Sequence, residues 1–272
     1  MGASATHRRR ASWLALFVLV PLVLVAGRAN AQVDPLWDHY KVYFVNPPIP
    51  YPVPGPPVTL TDQFGQYTHQ VQMMERFMNP VAKTHPPGGP TYPINNPDLH
   101  YSWWLISPQP FSAQVAASNQ FGDQTLNVFD AWYLLNPALK NQHGAPPIGN
   151  HYKCYNCEGQ PVNVPVQMVD QFGTWQANVT FPRYLCNPVE KHIGVPGDGG
   201  STYPVLDPNQ HYVCYEFQPE DPTPHAVVVT DQFVTDRTAD LFPSRLICVP
   251  SLKQIVTSTA PSTWGRIKIL YR

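Results

Sequence analysis

Four diverged copies of one pattern run through this chain, and the repeat limits what the chain can fold into. Each copy has a His-Tyr pair, then a run ending in Asp-Gln-Phe or Asn-Gln-Phe, then a second run ending in Pro-x-x-Lys. The copies begin at His39, His100, His151 and His211 and end at Lys83, Lys140, Lys191 and Lys253. The His anchors are 61, 51 and 60 residues apart, so longer and shorter gaps alternate. This alternation indicates a unit that doubled, followed by a doubling of the pair.

Side-chain polarity alternates along each copy, which is the pattern of a half-buried β-strand. Val166, Met168 and Phe172 share one face in the third copy. The Asp or Asn ahead of Gln-Phe can bond its own downstream backbone, so the triplet predicts a turn at the end of a strand. The chain contains 33 prolines and only 13% charged residues, a composition with little helix-forming material. We predict an all-β fold of two tandem β-sandwich or small-barrel domains, each made of two pseudo-twofold-related units of about three strands.

The two ends of the chain differ from the repeats. Residues 1–31 combine a basic start, an apolar run over 13–26 and the small-x-small sequence Ala29-Asn30-Ala31, which predicts a cleaved signal peptide. An uncleaved anchor is the alternative, and the short apolar run disfavours it. We expect a first β domain of two Cys-free repeats over 32–146 and a second of two Cys-containing repeats over 147–256. Residues 257–272, with the segment Trp264–Arg272, form either a C-terminal tail or an edge strand.

Four of the five cysteines occupy equivalent places in the third and fourth copies. They are Cys154, Cys186, Cys214 and Cys248. The first two copies carry apolar residues at all four places, so the cysteines are predicted to be buried partners and, in an oxidising compartment, to form two disulfides. The favoured pairing is one bridge per copy, Cys154–Cys186 and Cys214–Cys248, and crosswise pairing between the copies is the rival. A four-Cys zinc site is a weaker alternative, and Cys157 is left as a free thiol or for an intermolecular bridge.

Repeated histidines and a tryptophan pair are the candidate site residues. His39, His100, His151 and His211 would bind a metal only if they converged, and we favour a role in bonding the backbone at the strand starts because no other ligand recurs at a suitable spacing. Trp103 and Trp104 are a possible exposed platform for stacking sugar rings. The repeated lysines are predicted to protect exposed sheet edges.

The sequence contains no recognisable catalytic motif. It has no Gly-x-Ser-x-Gly, no His-Glu-x-x-His and no phosphate-binding glycine loop, so we expect neither enzymatic activity nor a cofactor. Removing the four arginines of the signal leaves 13 basic against 18 acidic residues, and no basic patch is present that would bind nucleic acid. Surface polysaccharide and other exported proteins remain as possible partners. After signal cleavage no membrane span is expected.

The chain resembles a family of bacterial exported proteins of unknown function. Members of that family repeat His-[Phe/Tyr]-x-Cys-Tyr, then Asp-Gln-Phe, then Leu-Cys-x-Pro-x-x-Lys. The third and fourth copies match best; the third has His151-Tyr152-Lys153-Cys154-Tyr155, Asp170-Gln171-Phe172 and Leu185-Cys186-Asn187-Pro188 followed by Lys191. The first two copies depart from the pattern by losing every Cys. The resemblance implies a secreted β repeat protein and implies no activity.

These observations lead to a functional hypothesis. We expect an exported, non-catalytic repeat protein, secreted, periplasmic or at the cell surface, with a structural or adhesive role there or in the extracellular matrix. A carbohydrate-binding module is the alternative, and it requires exposed aromatic side chains in line on one sheet face. A metal-dependent enzyme is a third class, and it requires the four repeated histidines to surround a cavity.

Overall fold

A computed structural model describes residues 33–52 and 55–258, with the side chains of 255–258 excepted. The described residues form strands and no helix, which confirms the all-β prediction. The strands are β1 (His39–Pro50), β2 (Val58–Asp62), β3 (Gly65–His69), β4 (Val71–Thr84), β5 (Thr91–Tyr92), β6 (His100–Gln109), β7 (Ala113–Asn119), β8 (Gly122–Lys140), β9 (His151–Glu158), β10 (Val164–Asp170), β11 (Gly173–Ile193), β12 (Thr202–Tyr203), β13 (His211–Asp221), β14 (His225–Thr230) and β15 (Arg237–Ser258). The predicted signal peptide 1–31 and the segment Trp264–Arg272 lie outside the described residues.

Eight long strands close into a ring of antiparallel pairs. The order around the ring is β1, β4, β6, β8, β9, β11, β13 and β15. The ring closes because β15 also pairs with β1, with Tyr40 opposite Cys248. Closure leaves no free edge along these eight strands. Each predicted copy contributes two of them: one begins with the His-Tyr pair and the other contains the Pro-x-x-Lys segment.

Inward-facing side chains of the eight strands form one buried cluster. At its centre the four tyrosines of the His-Tyr pairs, Tyr40, Tyr101, Tyr152 and Tyr212, contact one another in a closed cycle, with ring centroids 5.2 to 5.7 Å apart. All four are buried. Edge-to-face contacts of this kind are favourable between aromatic rings. The invariant Tyr of the motif is therefore the contact through which the four copies meet.

The four paired cysteines lie in the same cluster. Cys154 and Cys214 are two residues after the tyrosines of their copies, on the same face of the strand. Cys154 is bonded to Cys186, and Cys214 to Cys248. This confirms the predicted pairing of one bridge per copy and excludes the crosswise pairing and the zinc site. The equivalent places of the first two copies hold the opposed pairs Val42 with Met78 and Trp103 with Leu135, which are also buried there. Apolar contact thus replaces a covalent bond in half of the ring.

Shorter strands outside the ring connect copies that are two positions apart. The hairpin strand β10 of the third copy pairs with the end of β4 in the first, and β2 of the first pairs with the end of β11 in the third. In the same way β14 of the fourth copy pairs with β8, and β7 of the second pairs with β15. Two further buried clusters are formed between these hairpins and the outer face of the ring.

One continuous sheet therefore contains strands of all four copies. The expected arrangement of two tandem sandwich or small-barrel domains is not confirmed, since the ring joins β8 to β9 and β15 to β1, and hairpin strands of each half pair with long strands of the other. The described residues, from Val33 onward, cluster as one compact unit. In the described part of the chain no helix is long and apolar enough to cross a membrane.

Candidate functional site

Three of the four repeated lysines are buried and Lys253 is half-buried. Lys140, Lys191 and Lys253 each bond an Asn of a neighbouring copy. Lys191 Nζ donates to Asn136 Oδ1 at 2.7 Å, and Lys253 Nζ donates to Asn187 Oδ1 at 2.6 Å. Lys140 makes the same contact with Asn79. In each case the Asn precedes the Pro of the preceding copy. The prediction that these lysines protect exposed sheet edges is wrong. The long strands have neighbours on both sides, so they present no exposed edge, and the lysine side chains bond to the preceding copy.

The Asp-Gln-Phe triplets form the predicted turns and also bond a distant copy. Asp170 Oδ1 accepts from the Phe172 backbone N–H at 2.9 Å, as expected for a turn. Its second oxygen accepts from Tyr43 Oη at 2.6 Å and from Asn79 Nδ2 at 3.3 Å, both in the first copy. Asp62 makes the corresponding bonds to Tyr155 and Asn187 in the third copy. The triplet therefore holds its hairpin against the ring.

Each repeated Lys, the Asn before Pro in the preceding copy and the Asp of a turn form a group that we call a Lys cluster. In one of the four Lys clusters both the Asn and the Asp are replaced. The fourth copy has Val249 where the others have Asn, and the second copy has Asn119 where the others have Asp. Among the described residues Lys83 Nζ has no hydrogen-bond partner. Its nearest charge-stabilising groups are the rings of Tyr92 and Phe121, with centroids at 5.0 and 4.4 Å. Burial lowers the pKa of Lys83 to about 6, whereas its ordinary value is 10.5.

The four repeated histidines are buried at the starts of their strands. His151 Nε2 lies 3.0 Å from Gln232 Oε1, whereas His39 Nε2 contacts the amide nitrogen Nε2 of Gln120. Burial, with the nearby lysine charge as the second cause, lowers the pKa of His39 and His151 and lowers that of His100 to about 3. The described residues contain no group of three or more His, Cys, Asp or Glu side chains that could hold a metal ion.

The tryptophan pair is not an exposed platform. Trp103 and Trp104 are both 0% exposed. Trp103 lies inside the ring, and Trp104 packs on its outer face, where Nε1 donates to Asp231 Oδ2 at 2.7 Å. Adjacent residues of a strand point to opposite faces, so two neighbouring tryptophans cannot form one stacking surface here. Both faces of this strand are covered by protein, which the sequence pattern did not reveal.

A cavity lies where the inward-facing positions of the four copies cease to match. Two residues before Met78, Leu135, Cys186 and Cys248, the copies carry Arg76, Tyr133, Tyr184 and Leu246. The cavity has a volume of about 380 Å³ and includes three arginines and two glutamates. It is lined by Arg76, Phe129, Asn156, Cys157, Glu158, Arg183, Tyr184, Glu216, Arg245 and Leu246. We call it the end cavity.

Arg76 is the buried charge of the end cavity. The residue is 8% exposed, and its guanidinium carbon lies 4.9 to 5.6 Å from the ring centroids of Phe44, Trp103, Tyr133 and Tyr184. Nη2 donates to Tyr184 Oη at 3.0 Å. Among the described residues Nε and Nη1 have no hydrogen-bond partner, and no carboxylate forms an ion pair with Arg76.

Several other polar side chains of the end cavity have partners. Arg183 is paired with Glu216 at 2.8 Å, and Arg245 is 3.5 Å from Glu220. The pKa of Arg183 is raised, chiefly by its hydrogen bond to Glu216.

Cys157 is free and buried, and burial raises the pKa of its thiol, so the uncharged form persists. A buried, protonated thiol is a poor nucleophile.

Sequence reasoning missed Arg76 because it searched for what the copies share. A signal was nevertheless present in the sequence. When the four copies are aligned on the Pro of the Pro-x-x-Lys segment, the position two residues before Met78 holds a cation in the first copy and an aromatic or aliphatic residue in the others. A duplicated chain uses its conserved positions for the scaffold, so a new property is most readily acquired where one copy departs. The structure adds what the alignment cannot, which is that this position faces a cavity.

Comparison with known proteins identifies a family. Its model, described as a repeat of unknown function (DUF7450), matches residues 100–250, more than half of the chain. No curated protein and no solved structure matches significantly. The matched range runs from the His-Tyr pair of the second copy to the Pro of the fourth. The chain therefore belongs to the DUF7450 repeat family.

Proposed function

We propose that this chain is an exported, non-catalytic repeat protein with a structural or adhesive role at the cell surface or in the extracellular matrix. The observation that carries the proposal is that the repeated polar residues bond one another across copies. The motif Tyr, three of the four lysines and the Asp-Gln-Phe turns are all engaged within the molecule. The repetition therefore encodes a closed scaffold and supplies no series of identical ligand sites.

The two disulfides support the exported location. Disulfides persist in oxidising compartments and are rare in reducing ones. Both bridges are buried inside the ring, where Cys154, Cys186, Cys214 and Cys248 are 0% exposed. A closed ring without free edges along its long strands also suits a protein that persists outside the cell, since such strands cannot pair with other chains.

Exposed aromatic side chains on the outer surface are the candidate contacts for adhesion. Trp132 is 39% exposed and Phe181 is 46% exposed, on β8 and β11. At the place of Trp132 the other copies carry Glu75, Arg183 and Arg245, and at the place of Phe181 the second copy carries Asp130. The scaffold therefore accepts charged residues at both places, and the aromatic residues are not needed for the fold.

The test measures retention of the purified mature chain, residues 32–272, on insoluble polysaccharides and on isolated cell envelopes by co-sedimentation. The matched variant carries Trp132→Arg and Phe181→Asp, residues that other copies hold at these places. We expect retention of the wild-type chain and at least a tenfold loss for the variant with an unchanged melting temperature. Failure of the wild-type chain to sediment with any matrix would overturn the adhesive role. Turnover of a matrix by the chain would overturn the non-catalytic one.

A further inference from the structure

The end cavity contains a buried positive charge that the scaffold does not use. Among the residues that the structure describes, Arg76 has no carboxylate partner, whereas Arg183 and Arg245 each have one. An unpartnered buried donor costs roughly 1–3 kcal/mol, and more when it is charged. Such groups in native structures are normally satisfied by water, an ion or a ligand. Nε and Nη1 of Arg76 are two buried donors of this kind, in a side chain that lines the end cavity.

The fold itself has no need of a cation at this place. The equivalent residues Tyr133, Tyr184 and Leu246 are uncharged and fill the same layer of the ring. Replacing a buried ion by an apolar side chain is often neutral or stabilising. The charge of Arg76 is therefore best explained by a partner outside the described residues.

The lining of the end cavity indicates the chemistry of that partner. A guanidinium presents two parallel N–H groups that match the two oxygens of a carboxylate. Glu158 and Glu216 also line the cavity and would repel a doubly charged anion, so a single negative charge fits better than a phosphate. The carboxylates and the side chain of Asn156 can accept hydrogen bonds from hydroxyl groups, and Phe129, which is 38% exposed, offers an aromatic face.

We propose that the end cavity binds a small hydroxylated carboxylate, the chemistry of an acidic sugar, with Arg76 as the carboxylate-binding residue. A volume of about 380 Å³ lies in the range of sites that accept small molecules. The cage of four aromatic rings holds the guanidinium in one place, so little side-chain entropy is lost on binding. The inference is independent of the structural or adhesive role, since a soluble ligand in this cavity requires neither.

The test is isothermal titration of the mature chain with D-glucuronate, with D-glucose and sodium sulfate as comparison probes. Arg76→Leu introduces the residue that the fourth copy holds at this place, and Arg76→Lys keeps the charge without the planar fork. Arg237→Leu is the matched control, because this exposed arginine on β15 carries the same charge and does not line the cavity. Circular dichroism of each variant establishes that the fold is retained.

We expect glucuronate to bind at least tenfold more tightly than glucose and sulfate. Arg76→Leu should abolish the preference, Arg76→Lys should reduce it, and Arg237→Leu should leave it unchanged. Equal binding of glucose and glucuronate would overturn the role of the carboxylate. Tighter binding of sulfate would replace the proposal by a plain anion site. Unchanged glucuronate binding by a folded Arg76→Leu variant, or no binding by the wild-type chain, would refute the proposal directly.

Discussion

Lys83→Met should stabilise the protein, although it removes a residue that recurs in every copy. Lys83 is buried, and in the described structure its ammonium group has neither the Asn nor the Asp that accompanies the other repeated lysines. Burial lowers its pKa from 10.5 to about 6, so at pH 7.5 the residue is protonated in the unfolded chain and neutral in the folded one. The unfolded pKa lies about 3 units above pH 7.5, so releasing the proton on folding costs about 4 kcal/mol of folding free energy. A methionine of similar length avoids the cost.

The sign of the pH dependence follows from the direction of the shift. A lysine whose pKa is lowered on folding binds more protons in the unfolded state, so its contribution to stability is complete above pH 10.5 and is lost as the pH falls towards 6. Lys83→Met should therefore raise the free energy of unfolding by about 2–4 kcal/mol at pH 7.5, the lower bound allowing for relaxation around the site. Near pH 10 the gain should be below about 1 kcal/mol.

Lys191→Met is the matched control. Burial lowers the pKa of Lys191 to about 7, but its ammonium donates to Asn136 and Gln232. Its removal leaves the buried Asn136 oxygen without a donor, at roughly 1–3 kcal/mol, and leaves the half-buried Gln232 oxygen with His151 alone, which together offset much of the gain. Urea unfolding followed by tryptophan fluorescence at pH 7.5 and pH 10 measures both variants. If Lys83→Met destabilises the chain as much as Lys191→Met does, or if its effect is the same at both pH values, the reasoning is wrong.

Four further outcomes follow. Combining Val249→Asn with Asn119→Asp should restore the missing partners of Lys83 and raise its pKa. Lys83→Met should then destabilise this double variant, although it stabilises the wild-type chain, and urea unfolding measures both effects. Acid should destabilise the protein as the pH falls from 6.5 towards 3, because burial lowers the pKa of His100 and of His211 to about 3; unfolding free energies that are constant from pH 7 to pH 4 would contradict this. Replacing Cys154 and Cys186 by Val and Met, the pair that the first copy holds, should cost about 3 kcal/mol from the lost loop constraint yet leave the fold intact by circular dichroism. Calorimetry should record one unfolding transition, because hairpins of each half pair with strands of the other; two separated transitions would support independent domains.

Local features of the fold could be predicted from the sequence because they depend on short-range rules. Alternating polarity predicted strands, and Asp170 ahead of Gln-Phe predicted a turn that its bond to the Phe172 backbone confirms. The disulfides followed from an all-or-none substitution pattern, since Cys154 and Cys186 are replaced together by apolar residues elsewhere. The division at residue 146 stays a prediction of the spacing. It assumed that adjacent copies associate most closely, and spacing along a chain carries no information about which copies pair in space.

The exchange of hairpins between alternate copies could not be predicted, because it depends on the closure of the ring. Once eight strands close, the hairpin of one copy projects over the end of the strand two copies away, and β10 pairs with β4 there. The same closure determines which side chains meet. Asn119 and Val249 belong to the second and fourth copies and appear in the sequence as unrelated departures from the motif.

The ring explains why these two departures belong together. Each repeated lysine meets the Asn of the copy before it, and an Asp or Asn from the hairpin of the copy after it: Lys140 donates to Asn79, and Asn79 donates to Asp170. For Lys83 the copy before it in the ring is the fourth and the copy after it is the second. The missing Asn and the missing Asp therefore fall in one cluster, and each of the other three clusters keeps its Lys, its Asn and its Asp. Loss of either partner removes most of the reason to keep the other, because an Asn without a carboxylate, or a carboxylate without an Asn, leaves a buried polar group unpaired. Divergence in this closed repeat is thus concentrated in one cluster, where Asn119 and Val249 leave the unchanged Lys83 without its partners.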